Sequence, residues 1–160
     1  MPRQLWLLRH GDAEPHDARD DPDRRLTPRG EQQSRDAGVA LAALGLELEA
    51  CWTSPKVRAR DTAAIACETL GVDPIEHQAL FSGFDAGDAR ELLEASEADA
   101  RILCVGHEPD FSQVVHDLTG ARIDLKKGGV AAIRMDGTRG ELIALLRPRE
   151  LTAIAIDRRD

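Results

Sequence analysis

A chain of 160 residues with 42% hydrophobic and 31% charged residues can bury a substantial core and is too apolar to stay disordered. Its formal net charge of −8 argues against nucleic acid as a partner, and no run reaches the roughly 18 apolar residues of a membrane span. Met1-Pro2-Arg3-Gln4 leads into an apolar run without a secretory signal pattern, so one domain over 1–160 in the cytoplasm is expected. Cys51, Cys67 and Cys104 lie in apolar stretches without metal-ligand spacing and read as reduced core thiols.

Residues 4–8 read as a buried strand that stops abruptly at Arg9-His10-Gly11. Residues 11–26 form a polar connection with two prolines, long for a strand-to-helix loop and therefore a candidate functional loop. Thr27-Pro28 supplies a hydroxyl cap followed by proline at the first helical position. It predicts a helix to about Leu44, with Ala37, Leu41 and Leu44 on one face and Gly45 as its stop. A short strand is expected at Ala50–Thr53. Ser54-Pro55 repeats the cap-then-proline signal and predicts a helix to Leu70, closed by Gly71, with Ala59, Ala63, Ala66 and Leu70 buried.

Pro74–His77 reads as a short strand, residues 78–87 as a glycine-interrupted loop, and about Asp88–Ser96 as a helix. Arg101–Val105 is a second buried strand, stopping at Gly106-His107. Pro109-Asp110 opens a helix whose stripe is Phe111, Val114, Val115 and Leu118, ending at Gly120. Val130–Met135 and Glu141–Leu146 flank Asp136-Gly137-Thr138-Arg139-Gly140, a hairpin signal. Strands alternating with helices predict an α/β fold, a three-layer αβα sandwich. Its sheet is expected to be mostly parallel, with the hairpin as an antiparallel C-terminal edge.

In such sheets ligands sit beyond the carboxyl ends of the strands. Two predicted strands end alike, in Leu8-Arg9-His10-Gly11 and Val105-Gly106-His107, and a third ends at Ser54-Pro55, just before Lys56 and Arg58. If these strands are parallel, two imidazoles and at least two arginines converge on one crevice. A neutral ring nitrogen can attack phosphorus while arginine forks hold the equatorial oxygens. His10 is therefore the candidate nucleophile. Arg58 and Arg60 compete for the phosphate on spacing alone, whereas His16, His77 and His116 read as structural or exposed. A metal site built from His10, Asp12, His16 and His107 is disfavoured, because no His-Glu-x-x-His pair is present and nearby arginines repel a cation. An acidic protein meeting an anionic substrate must concentrate its arginines locally.

Four ordered stretches carry a resemblance. They are Leu-Arg-His-Gly-Asp-Ala-Glu (8–14), Asp-Arg-Arg-Leu-Thr-Pro-Arg-Gly (23–30), Thr-Ser-Pro-Lys-Val-Arg-Ala-Arg-Asp-Thr-Ala (53–63) and Val-Gly-His-Glu-Pro-Asp (105–110). Together they resemble the histidine phosphatase superfamily, with its phosphoglycerate mutase-like fold, and most closely its short phosphohistidine phosphatase type. Gly128-Gly129 and the strand after it also look like the family's C-terminal portion. The resemblance implies that His10 becomes a phosphohistidine intermediate and that Arg9, Arg58 and His107 complete the phosphate pocket. It selects Arg58 over Arg60, since the family's arginine follows Ser-Pro by three positions, and it makes Arg24 a candidate for the pocket rim.

The resemblance further implies a reaction that needs no metal or other cofactor. Larger members carry a general acid in the segment matching about 78–91, where Asp85 or Asp88 is the nearest candidate here. The implied substrate is protein phosphohistidine, whose leaving imidazole departs more easily than an alkoxide. The short connections after residue 75 and after His107 leave no room for a large lid, which suits an open crevice for a phosphorylated protein. The alternatives are a small-molecule phosphomonoesterase of the same superfamily and a non-catalytic phosphoprotein-binding module.

Overall fold

The structure, a computed structural model, describes residues 2–159; Met1 and Asp160, the ends of the expected 1–160 domain, lie outside the described residues. The chain runs through β1 (Arg3–Arg9), α1 (Pro28–Ala43), β2 (Ala50–Thr53), α2 (Val57–Leu70), β3 (Pro74–Glu76) and α3 (Ala86–Glu94). It continues through β4 (Arg101–Gly106), α4 (Asp110–Thr119), β5 (Val130–Asp136), β6 (Arg139–Leu146) and α5 (Pro148–Arg159). Short 3₁₀ turns at Asp21–Asp23 and Gln78–Leu80 punctuate the two longest connections before β4.

Six strands form one sheet in the order β3-β2-β4-β1-β5-β6. The first four are parallel, and the β5–β6 hairpin adds antiparallel to β1, as the sequence pattern predicts. The central strands β1 and β4 carry uninterrupted apolar runs at Leu5–Leu8 and Ile102–Val105, and successive residues go to opposite faces. Leu5 and Leu7 pack with Phe84, Leu93 and Phe111 under α3 and α4, whereas Trp6 and Leu8 pack with Ala37, Leu41, Ala63 and Leu151 under α1, α2 and α5. The three free thiols are buried in these two layers.

Three elements depart from their sequence expectation. Helix α2 starts at Val57 with Lys56 as its cap, so Ser54-Pro55 is not a helix start. Helix α3 starts two residues earlier than expected, at Ala86, because Asp85 and Asp88 form a reciprocal capping box. Helix α5, to which no sequence pattern was assigned, covers the α1 side of the sheet by burying Leu151 and Ala155.

Glycine fixes the approach to the site at one place. A side-chain carbon on Gly11 would stand 2.6 Å from the Gly30 carbonyl, and one on Gly30 would overlap the Asp12 carbonyl. The exit of β1 and the first turn of α1 thus meet backbone to backbone. Thr27 caps that turn by accepting from Gly30 N at 3.1 Å, and its hydroxyl donates to the Asp12 carboxylate at 2.8 Å.

Candidate active site

Sheet register brings the two histidines together. Arg9 is level with Gly106, and Thr53 with Val105. His10 N donates to the Gly106 carbonyl at 3.1 Å and Ser54 N to the Val105 carbonyl at 3.0 Å, so the residues just past the strands stay aligned. The buried rings of His10 and His107 lie with centroids 5.3 Å apart and planes tilted by 54°.

His10 has its tautomer set by the backbone. Its Nδ1 lies 2.7 Å from the Gly11 carbonyl oxygen, which can only accept, so the ring proton sits on Nδ1 and Nε2 keeps its lone pair. Burial pushes the ring down to about 3, helped by the charges of Arg58, Arg9 and Lys127 and only partly opposed by the Gly11 carbonyl. At neutral pH the ring is uncharged.

Arg58, in the first turn of α2, places Nε 3.4 Å from that Nε2 and donates from Nη1 to the Asp21 carbonyl at 2.7 Å. Buried Thr62 ties this turn to β1. Its hydroxyl donates to the Arg58 carbonyl at 2.7 Å and accepts from Gly11 N at 3.1 Å. Arg9 donates from Nη1 to the Leu125 carbonyl at 2.9 Å.

His107 has Nε2 2.8 Å from the Ser54 hydroxyl, which also accepts from Lys56 N at 3.2 Å. The hydroxyl can give its proton to Nε2, and in that tautomer the ring's own proton sits on Nδ1. Burial pushes His107 down to about 3 as well, followed by His10, Arg58 and Lys56, against Asp21. Its Nδ1 and the Nε of Arg9 are buried without a hydrogen-bond partner, and among the described residues they are the only such side-chain atoms. A buried donor left unpaired costs about 1–3 kcal/mol, and an anion entering here would accept from both.

A cavity of about 310 Å³ opens over these groups. Its walls hold five cations (Arg9, Arg24, Lys56, Arg58 and Lys127) against two acids, Asp21 and Glu108, with His16 as a further histidine in the wall. Asp21 is the hub of the cations: its carboxylate meets Arg24 Nη2 at 2.9 Å, Lys56 Nζ at 3.0 Å and Arg58 Nη2 at 3.3 Å. Burial alone would raise the Asp21 carboxyl, but Lys56, Arg24 and Arg58 outweigh it and hold the group far below the usual carboxylate range. Glu108 accepts from Ser112 N at 2.7 Å and from the Ser112 hydroxyl at 2.5 Å. Among the described residues no group of three or more His, Cys, Asp or Glu side chains is placed to hold a metal ion. The arrangement is one neutral imidazole lone pair inside a ring of cations and oriented donors, suited to attack on a phosphoryl group.

A family model described as the histidine phosphatase superfamily (branch 1) matches residues 5–103. The chain belongs to the histidine phosphatase superfamily. An uncharacterised protein of Picosynechococcus sp. is 36% identical over 162 residues, covering 92% of this chain and 98% of that one. The structure of the protein histidine phosphatase SixA complexed with tungstate superposes with a TM-score of 0.83 at 26% identity, over 92% of this chain and 99% of that one. A 2,3-bisphosphoglycerate-dependent phosphoglycerate mutase of Parvibaculum lavamentivorans is 37% identical over 106 residues, 57% of this chain and only 50% of the mutase. This chain therefore matches about half the length of that mutase.

Within this superfamily fold, Arg9, His10, Arg58 and His107 come together in one cavity, and Arg24 lies in its wall, 7% exposed and bonded to Asp21 and the Glu14 carbonyl. Asp85 and Asp88 do not join them: their carboxylates bond to each other's backbone N–H at the start of α3. The sequence missed Lys127, Asp21 and Glu108, named Lys56 beside Arg58 without giving it a role, and set aside His16. Glu108 follows His107 directly, so its place in the sequence was the available signal. Asp21 offered none, being one of five aspartates in residues 11–26.

Proposed function

We propose that this protein is a metal-independent phosphatase that acts on protein phosphohistidine through a covalent phosphohistidine at His10. The Nε2 lone pair attacks phosphorus, the bond to the leaving group breaks, and Arg9, Arg58 and His107 hold the equatorial oxygens. Water then cleaves the new P–N bond, releasing inorganic phosphate and restoring the neutral ring. The observation that carries this reading is the pairing of a neutral His10, its Nδ1 proton held by Gly11, with unpartnered donors on Arg9 and His107. Superfamily membership and the fold shared with SixA support phosphatase chemistry. Tungstate, present in the SixA structure, is a tetrahedral oxyanion of phosphate's shape.

The carboxyl groups support this substrate class. Asp21 is held ionised by three cations, and both oxygens of Glu108 accept from Ser112, so neither is set to protonate a leaving alkoxide. The imidazole of a phosphohistidine takes its proton from solvent on the ring nitrogen that does not bear phosphorus, near its pKa of about 6.5, and then leaves as the neutral ring without a carboxylic acid's help. A small-molecule phosphomonoesterase is the competing reading, favoured by the partial match to the mutase.

The test is a comparison of kcat/KM on a phosphohistidine peptide, p-nitrophenyl phosphate and a panel of sugar and nucleotide phosphates, with and without chelator. The phosphohistidine peptide is expected to be turned over fastest and chelator to change nothing. His10→Ala should lower turnover by about four orders of magnitude or more. A far higher kcat/KM on a small metabolite would overturn the substrate, loss of activity with chelator would overturn metal independence, and an active His10→Ala would overturn the nucleophile.

A further inference from the structure

Beside the His10 cavity lies a second, larger groove of about 520 Å³, and the two share Arg9 and Lys127 in their walls. Six of the chain's 21 basic residues line it (Arg9, Arg29, Lys126, Lys127, Arg147 and Arg149), with Asp12 as the one carboxylate. That density stands out in a protein whose formal net charge is −8. The cations come from four separate places: the end of β1, the first turn of α1, the loop before β5, and the turn from β6 into α5. Lys126 is satisfied by Asp124, and Arg147 and Arg149 share Glu150. Arg29 and Lys127 have no ion-pair partner among the described residues.

The form of the groove decides between occupants. A socket for one small anion is concave and built from a few buried, fixed donors. Here the side chains are long and exposed, 56% for Lys126 and 77% for Arg149, and they spread over an open surface. Exposed cations of this kind act on a broad acidic face, raising its association rate and fixing its orientation. Because Arg9 and Lys127 belong to both cavities, a partner held in the groove has its edge at the mouth of the His10 site.

We propose that this groove docks the acidic surface around the phosphohistidine of a substrate protein, its carboxylates lying on Arg29, Lys126 and Arg149 while the phosphoryl group enters the His10 cavity. This rests on the phosphohistidine reading above and adds what recognises the carrier. A glutamate-flanked carrier is preferred over a neutral one, and the preference is screened by salt.

The test uses the full chain and three probes, phosphohistidine peptides flanked by glutamates or by glutamines and p-nitrophenyl phosphate, with a small bisphosphate and its monophosphate as a control pair. At low salt, kcat/KM on the glutamate-flanked peptide should exceed that on the glutamine-flanked one by about tenfold, and about 0.5 M sodium chloride should erase the difference. The triple variant Arg29→Glu, Lys126→Glu, Arg149→Glu should lose the preference and keep its rate on p-nitrophenyl phosphate. Equal rates on the two peptides at low salt, with p-nitrophenyl phosphate still cleaved, would overturn the docking surface and leave the phosphatase reading standing. A preference retained by the triple variant, or an equal loss on all three probes, would also overturn it. A preference for a small bisphosphate over its monophosphate that the triple variant abolishes would assign the groove to a second phosphate instead. Failure to cleave either phosphohistidine peptide would overturn the substrate reading and this proposal together.

Discussion

Arg58 Nε lies 3.4 Å from His10 Nε2, on the opposite side of the ring from the Nδ1 that bonds to the Gly11 carbonyl. Burial is the main reason the neutral ring is the stable one; the cation beside the lone pair adds to it, while the carbonyl beside the proton fixes the tautomer and only partly opposes the shift. The consequence is a pH dependence with a definite sign. His10 and His107 titrate at about 3 in the folded protein and near 6.5 when unfolded. Between those values the unfolded chain binds more protons, so stability is full above about 6.5 and falls as pH drops toward 3. Urea unfolding across that window should show the decline, and His10→Gln should make it shallower, with the His107 part remaining. A wild-type stability that is level from 6.5 to 4 would contradict the buried neutral pair.

Asp21 makes the cation cluster rigid at the cost of partly neutralising it. Replacing Asp21 with Asn removes the negative charge shared by Arg24, Lys56 and Arg58 without removing bulk. Tungstate inhibition should tighten, by several-fold to about tenfold, because the cavity gains net positive charge. At the same time kcat should fall, because Arg58 loses the carboxylate that aims its Nη2 and retains only its bond to the Asp21 carbonyl and its Nε contact with His10. A variant in which inhibition weakens would show that the carboxylate organises the site without competing for its anion.

Ser54 illustrates where the sequence was legible and where it misled. Apolar runs ending in Arg9-His10 and Gly106-His107 betrayed buried parallel strands, and the alternation of elements placed their ends on one edge. Local patterns such as these survive folding because they reflect burial. Ser54-Pro55 looked like a helix cap for the same local reason, yet the hydroxyl is used across 53 residues of chain to hold His107. Nothing near Ser54 in the sequence encodes that. Asp85 and Asp88 erred in the other direction, as candidate acids whose carboxylates serve their own helix. Ser54→Ala should lower kcat on p-nitrophenyl phosphate by about tenfold, since His107 is then free to carry its proton on either nitrogen. An unchanged pH profile and rate would reduce Ser54 to packing.

Gly30 offers a test in which two physical effects have opposite signs. Glycine inside a helix is destabilising relative to alanine by about 0.5–1 kcal/mol, so Gly30→Ala in α1 should stabilise if propensity decided the outcome. The added carbon, however, would overlap the backbone carbonyl of Asp12, and backbone cannot swing aside as a long side chain can. Relief requires moving the β1 exit away from α1, which loosens the Thr27–Asp12 bond and the Gly11 N bond to Thr62. Overpacking of this kind costs about 1–3 kcal/mol and outweighs the helical gain. Chemical denaturation should therefore show Gly30→Ala to be destabilised. The loss should come with reduced kcat, because Gly11 carries the carbonyl that holds the His10 proton. A stabilised variant with full activity would mean that the two segments do not meet as closely as this geometry places them.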